Sequence, residues 1–119
     1  MEVLLVDDQA LTIQVYAAAV RKTFDGAKVH TAVDLPEALQ IASGHKLDLV
    51  LLDLQLPTCS GIEALERFRR AFPALPVLVV SANEDKARIQ QCLDAGARGY
   101  VTKAAAVAAL PAAMKKALP

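Results

Sequence analysis

Aromatic residues are scarce in this chain of 119 residues, at 4% of the sequence, although hydrophobic residues reach 55%. A core with so few rings must be built from Ala, Leu and Val, which suits helices packed on a sheet. Net charge is lacking too: Lys plus Arg and Asp plus Glu both number 13. That balance argues against a nucleic-acid or membrane surface made by charge alone. The two cysteines, Cys59 and Cys92, have no framework spacing, which fits a reduced cytosolic protein rather than a disulfide scaffold. No apolar run approaches the ~20 residues that a membrane helix needs. The opening "MEVLLVDD" has no basic segment ahead of its short apolar run, and acid follows at once, so it reads as a strand rather than a signal peptide. The expectation is one soluble, cytoplasmic domain over residues 1–119, without membrane attachment.

What the sequence does have is alternation. Short β-rich runs at 2–6, 27–31, 48–52, 76–80 and 99–101 are separated by segments of helical spacing. Leu11, Val15, Ala19 and Phe24 mark the first helix, and Leu35, Leu39 and Ala42 the second. Ile62, Leu65, Phe68 and Phe72 mark the third, and Ile89, Leu93 and Ala97 the fourth. Asp34 can cap the second helix, with Pro36 in its first turn and Glu37 placed for a capping box. Gly44 and Gly96 suit helix C-termini, and "FPALP" stops the third helix. Five βα units in so short a chain predict an α/β fold: a single doubly wound (βα)5 domain, flavodoxin-like, with a parallel five-stranded sheet in the order 2-1-3-4-5.

That order puts a switch point at the C-terminal ends of strands one and three. The first strand ends in Asp7 and Asp8, and the apolar run "DLVLLDLQLP" is broken by Asp53. Three carboxylates in one crevice repel one another, and a divalent cation relieves this; hard carboxylate ligands with room for water suit Mg²⁺. Strand four delivers the hydroxyl of Ser81, and strand five leads to Lys103, whose long side chain can cover most of the ~10 Å between strands three and five. Such a set can hold a metal and a phosphoryl group together, with Asp53 as the nucleophile of an acyl phosphate and Ser81 and Lys103 on the phosphoryl oxygens. Each residue alone is more ordinary: an Asp after a strand is usually a cap or turn former, and a Lys there is usually solvated. It is the conjunction at four strand ends that carries the reading.

The segments "LLVDDQ", "DLVLLDLQLPTCSGIEAL", "PVLVVSAN" and "DAGARGYVTK" resemble the receiver domain of bacterial two-component response regulators, over essentially the whole chain. The resemblance implies that Asp53 accepts phosphate from a histidine on a sensor kinase. It implies that Asp8 ligates Mg²⁺ directly and Asp7 through water, with Asp53 and the Gln55 backbone carbonyl completing the metal site. Ser81 and Tyr100 would form the switch. "GARGYVTK" is most similar to regulators with a C-terminal helix-turn-helix, which implies a DNA-binding output domain outside this chain. Also implied are a homodimer on phosphorylation, no direct nucleic-acid contact by this domain, and a signalling rather than an enzymatic role. Two positions depart from the family pattern. Ala104 stands where a Pro in a cis bond often follows the Lys, and Pro111 interrupts the last helix, which either kinks there or starts close to it.

Other residues read as structural. His30 and His45 lie away from the acids, as core or surface filler, and Cys59 without a nearby His makes no zinc site. Lys115 and Lys116 complement a helix dipole. Gln55 and Asn83 flank the site. A small Mg²⁺-dependent aspartyl phosphatase would need an acid where Gln55 stands, and a flavodoxin-like nucleotide carrier would need a Ser/Thr/Gly cradle in place of "DDQ". A receiver-like scaffold that works unphosphorylated fits a complete acidic site less well.

Overall fold

Asp53 and Ser81, placed beyond their strands by the pattern of apolar runs, are the last residues of those strands. The computed structural model describes residues 1–56 and 60–119, so Cys59 lies outside the described residues. The elements run β1 (Glu2–Val6), α1 (Ala10–Thr23), β2 (Lys28–Ala32), α2 (Leu35–Gly44), β3 (Leu49–Asp53), α3 (Gly61–Ala71), β4 (Val77–Ser81), α4 (Lys86–Asp94) and β5 (Gly99–Thr102). A 3₁₀ turn at Lys103–Ala105 then leads into α5 (Ala106–Ala117). All strand pairs are parallel, and the order is β2-β1-β3-β4-β5, as expected. β2, β3 and β4 each begin and end one residue later than the apolar runs suggest, because Asp53 still pairs with Val80, and Ser81 with Thr102.

Side-chain alternation splits the core in two. Leu4, Val6, Val50, Leu52, Val77 and Val79 face one layer with Leu35, Leu65 and Phe68 from α2 and α3. Val3, Leu5, Leu49, Leu51, Leu78 and Val80 face the other, with Tyr16, Val20, Leu110 and Met114 from α1 and α5. β3 and β4 are buried at every position, as expected of central strands covered on both faces.

The helices form where expected, but two present different faces. In α1, Tyr16, Ala17 and Val20 are buried, while Leu11 is 75% exposed and Val15 is exposed as well. Tyr16 brings more apolar area than Val15, and the small Ala17 lets the helix come close to the sheet. In α4, Cys92 is buried and Leu93 is left exposed; a free thiol packs as a small hydrophobe. The α2 cap holds: the Asp34 carboxylate accepts from Glu37 N–H at 2.9 Å, and Glu37 Oε1 accepts from Val33 N–H at 3.0 Å, one residue earlier than in the usual box. α4 ends in a Schellman turn, with Gly96 at φ +106° donating to Leu93 O and Ala97 to Cys92 O. Pro111 lies inside α5 rather than in its first turn. The carbonyl it leaves without a helical donor is that of Val107, an exposed residue that water can reach. No peptide among the described residues is cis, so Lys103–Ala104 is trans.

α3 starts against the end of β3. A Cβ built on Gly61 would sit 2.4 Å from Leu54 Cβ and 2.6 Å from Leu54 O, too close for any side chain. Gly61→Ala is therefore expected to destabilise the fold by roughly 1–3 kcal/mol through forced backbone movement, despite the higher helix propensity of Ala. Urea unfolding measures this; a variant as stable as wild type would show that the contact relaxes freely.

Candidate functional site

The ladder positions bring the acids together. Val6 pairs with Leu52, so the next residue of each strand, Asp7 and Asp53, stand side by side at the carboxyl end of the sheet. Alternation puts both on the α1/α5 face, where they line a small recess with Leu5, Tyr16, Leu51 and Val80. Asp8, the next residue, is exposed at the rim. One oxygen from each of Asp7, Asp8 and Asp53 lies within 4.8 Å of the others.

Asp53 is 3% exposed, and both of its oxygens are occupied. Oδ1 accepts from the Gln55 N–H at 3.0 Å, and Oδ2 from the Lys103 ammonium at 3.1 Å. A carboxylate between leucines is thus buried because a half-buried cation lies beside it. Asp7 is provided for less well. Its Oδ1 accepts from Gln9 N–H at 2.9 Å, but Oδ2 has no hydrogen-bond partner, with Lys103 Nζ at 3.6 Å. Burial pushes the Asp7 carboxyl up and the Asp53 charge adds to this, against the Gln9 amide and Lys103, which pull it down. For Lys103, burial works to lower the pKa, but the hydrogen bond and charge of Asp53, with Asp7 behind them, outweigh it and the net shift is upward.

Three carboxylates against one ammonium leave a net excess of negative charge in the crevice. Together with the orphaned Asp7 oxygen, this donor set fits a hard divalent cation, and residues Asp7, Asp8 and Asp53 could hold it. Gln55 stands exposed beside them with its N–H committed to Asp53.

Ser81 is buried at the end of β4, and its Oγ accepts from the Asn83 N–H at 3.2 Å. Tyr100 is half-buried against the α2/α3 core layer and donates its hydroxyl to the Asn83 carbonyl at 2.7 Å. Ser81 and Tyr100 are therefore joined through the backbone of a single residue. That link, and the place of Tyr16 beside the acids, go beyond the sequence reading. Burial pushes the Tyr16 phenol up, and one bulky ring in the small-residue run "VYAAAV" is the signal that points to it. Both histidines lie away from the crevice, as expected.

A family model described as the response regulator receiver domain matches residues 3–115. The chain belongs to that family. Among its relatives, the transcriptional regulatory protein KdpE of Mycobacterium tuberculosis is 43% identical over 101 residues, which is 85% of this chain and 43% of that protein. Of solved structures, a two-component response regulator of the LuxR family from Aurantimonas superposes with a TM-score of 0.88 at 31% identity, over 96% of this receiver domain and 81% of that chain. A response regulator from Burkholderia pseudomallei, solved with a phosphorylated aspartic acid, calcium ion and citrate, has a TM-score of 0.82 at 25% identity, over 99% and 66% of the two chains. This receiver domain spans about half the length of the curated relatives it matches. No helix among its described residues is long and apolar enough to cross a membrane.

The strain at Asp7 is measurable. Its pKa is raised in the folded state, so the unfolded chain ionises first, and stability falls as pH rises through the interval between the two values. Asp7→Asn removes the charged form and is expected to stabilise the protein near pH 7 by about 1–3 kcal/mol in the absence of divalent cations. The gain should vanish below the ordinary aspartate range, where wild-type Asp7 is protonated in both states. Thermal unfolding across pH checks this, and a neutral-pH loss of stability would contradict it.

Proposed function

We propose that this receiver domain is a phosphorylation-controlled switch in which Asp53 takes a phosphoryl group from a phosphohistidine on a sensor kinase. The observation that carries the reading is Asp53 itself, buried at a strand end between a backbone N–H and Lys103, with two further acids alongside. An Asp53 oxygen forms the new O–P bond as the P–N bond breaks, and the departing imidazole takes up a proton. Gln55 N–H fixes one oxygen and so orients the carboxylate. Lys103 follows the charge, moving from Asp53 Oδ2 to a phosphoryl oxygen, a short swing for a side chain with four rotatable bonds. Asp7, Asp8, Asp53 and the Gln55 carbonyl would hold Mg²⁺, which when bound supplies the two positive charges the crevice lacks.

Residues 1–119 serve here as one receiver unit in the cytoplasm. The relatives named as transcriptional regulators support a DNA-binding output domain beyond this unit, governed by a surface that changes on phosphorylation, including self-association. The receiver itself makes no nucleic-acid contact and turns over no substrate of its own.

The test is intact mass after incubation with acetyl phosphate and Mg²⁺. Wild type should gain one phosphoryl group, lost when the cation is chelated beforehand, and Asp53→Asn should gain none. Equal labelling of the two proteins would exclude Asp53 as the acceptor.

The output route starts at Ser81. Phosphoryl oxygens offer its hydroxyl a charge-assisted hydrogen bond that exists in one state only, which is the differential interaction a switch requires. Movement of Ser81 shifts Asn83, and through the Asn83 carbonyl the Tyr100 ring at the α4–β5–α5 surface. The ¹⁹F signal of fluorotyrosine at position 100, assigned by its loss in Tyr100→Phe, should move with a beryllofluoride mimic in wild type and stay put in Ser81→Ala. Assignment by Tyr16→Phe is unsuitable, because Tyr16 lines the acidic recess. A Tyr100 signal unmoved by the mimic in wild type rejects this route.

A further inference from the structure

The opposite end of the sheet holds a second cluster. Glu2 opens β1, His30 lies in the middle of β2, and His45 caps the C-terminus of α2. Glu2 pairs with Lys28, so His30 is its diagonal neighbour on the sheet face that carries Leu4 and Ala32. α2 covers that face, and its C-cap brings His45 down onto the same carboxylate. His30 Nε2 is 2.9 Å and His45 Nδ1 is 3.7 Å from one oxygen, Glu2 Oε1. The two imidazoles lie 4.3 Å apart, centroid to centroid, with their planes tilted by 42°. One donor atom from each of the three residues lies within 4.8 Å of the others. The sequence contains two histidines, and both are here.

We propose that Glu2, His30 and His45 form a second metal site, for a zinc-type divalent ion, distinct from the acidic crevice. Zinc bonds to nitrogen and oxygen of ~2.0–2.2 Å in a tetrahedron put neighbouring donors about 3.3 Å apart. The two Glu2-to-histidine separations, 2.9 and 3.7 Å, fall on either side of that value. Imidazole nitrogens favour zinc, copper and nickel over the hard cations suited to three carboxylates, so the two ends of the sheet select different metals. The half-exposed His45 leaves the fourth position open to solvent.

The neighbours are mixed in charge. Lys28 stands across from Glu2, and the Asp48 carboxylate accepts the Glu2 N–H at 2.8 Å. The hydrogen bond from His30 holds the Glu2 carboxyl below its usual range. A plain Glu–His pair accounts for His30. It gives no reason for a second imidazole, from another element, to converge on the same oxygen. A bound ion would clasp the end of α2 to the first two strands.

Because both histidines belong to the site, side-chain ¹⁵N spectra of the imidazoles report on it alone. The experiment is a Zn²⁺ titration of the untagged chain in excess Mg²⁺, in the Asp53→Asn background to silence the acidic crevice. Both imidazoles should shift together and saturate at a 1:1 ratio, and His45→Ala or Glu2→Gln should weaken binding ~tenfold or more. His45 is exposed, so its variant keeps the fold, which the backbone amide spectrum verifies. Imidazole signals that do not move, a shift confined to one histidine, or unchanged affinity in His45→Ala would each overturn the proposal.

Discussion

The Lys103–Asp53 ion pair is the constraint on which the rest of the site depends. A carboxylate at 3% exposure, at the end of an otherwise apolar strand, is costly to bury without partners for its oxygens. The ammonium at 3.1 Å gives its second oxygen a charged hydrogen-bond donor. The same ammonium is shared with Asp7, at 3.6 Å, and one cation cannot satisfy both. The imbalance this leaves disfavours the resting protein and favours whatever brings positive charge. Function and stability are opposed here at single atoms, Asp7 Oδ2 being the plainest case.

The fold makes that opposition tolerable by keeping the strands rigid and putting the adaptable groups on the turns that leave them. Asp53 and Ser81 are fixed by ladder register and Asp7, one residue past β1, by its N–H on the Ala32 carbonyl, whereas Lys103 begins a 3₁₀ turn and Asn83 sits between β4 and α4. Capping confines this freedom. Ser60 accepts from Glu63 N–H at the start of α3, and Asp85 from Ala87 N–H at the start of α4, so each helix begins at a defined residue. Tyr100 belongs to β5 but is tied by its hydroxyl to the β4–α4 turn.

Sheet order and the gathering of Asp7, Asp53 and Lys103 were legible in the sequence because each depends on one signal, an apolar run that ends in a polar residue. Strand ends were off by one for the same reason: hydropathy stops at Leu52, whereas backbone pairing continues through Asp53. The buried faces of α1 and α4 were not legible. Leu11 and Leu93 fit helical spacing as well as Tyr16 and Cys92 do, and which set turns inward is decided by the sheet surface they meet. The Ser81–Asn83–Tyr100 link was hidden because it runs through the backbone of Asn83, which carries no residue-type signal. The histidines looked like filler because they lie in separate elements, and only the register of β1 on β2, with the C-cap of α2, brings them to Glu2.

The two ends of the sheet are electrostatically separate. Glu2 and Asp7 are five residues apart along β1, a span of roughly 16 Å at ~3.3 Å per residue. That is about twice the screening length of ~8 Å at physiological ionic strength, although the apolar strand between them screens less than water does. A charge gained at Glu2 therefore reaches the crevice weakly. α2 packs over β1 and β2, whereas Tyr100 lies on β5 at the other edge of the sheet. Clasping α2 at its C-terminus would therefore act on its own edge of the sheet, on the packing of Leu35 and Ala38 against β1 and β2, and leave the acidic crevice to its own charges.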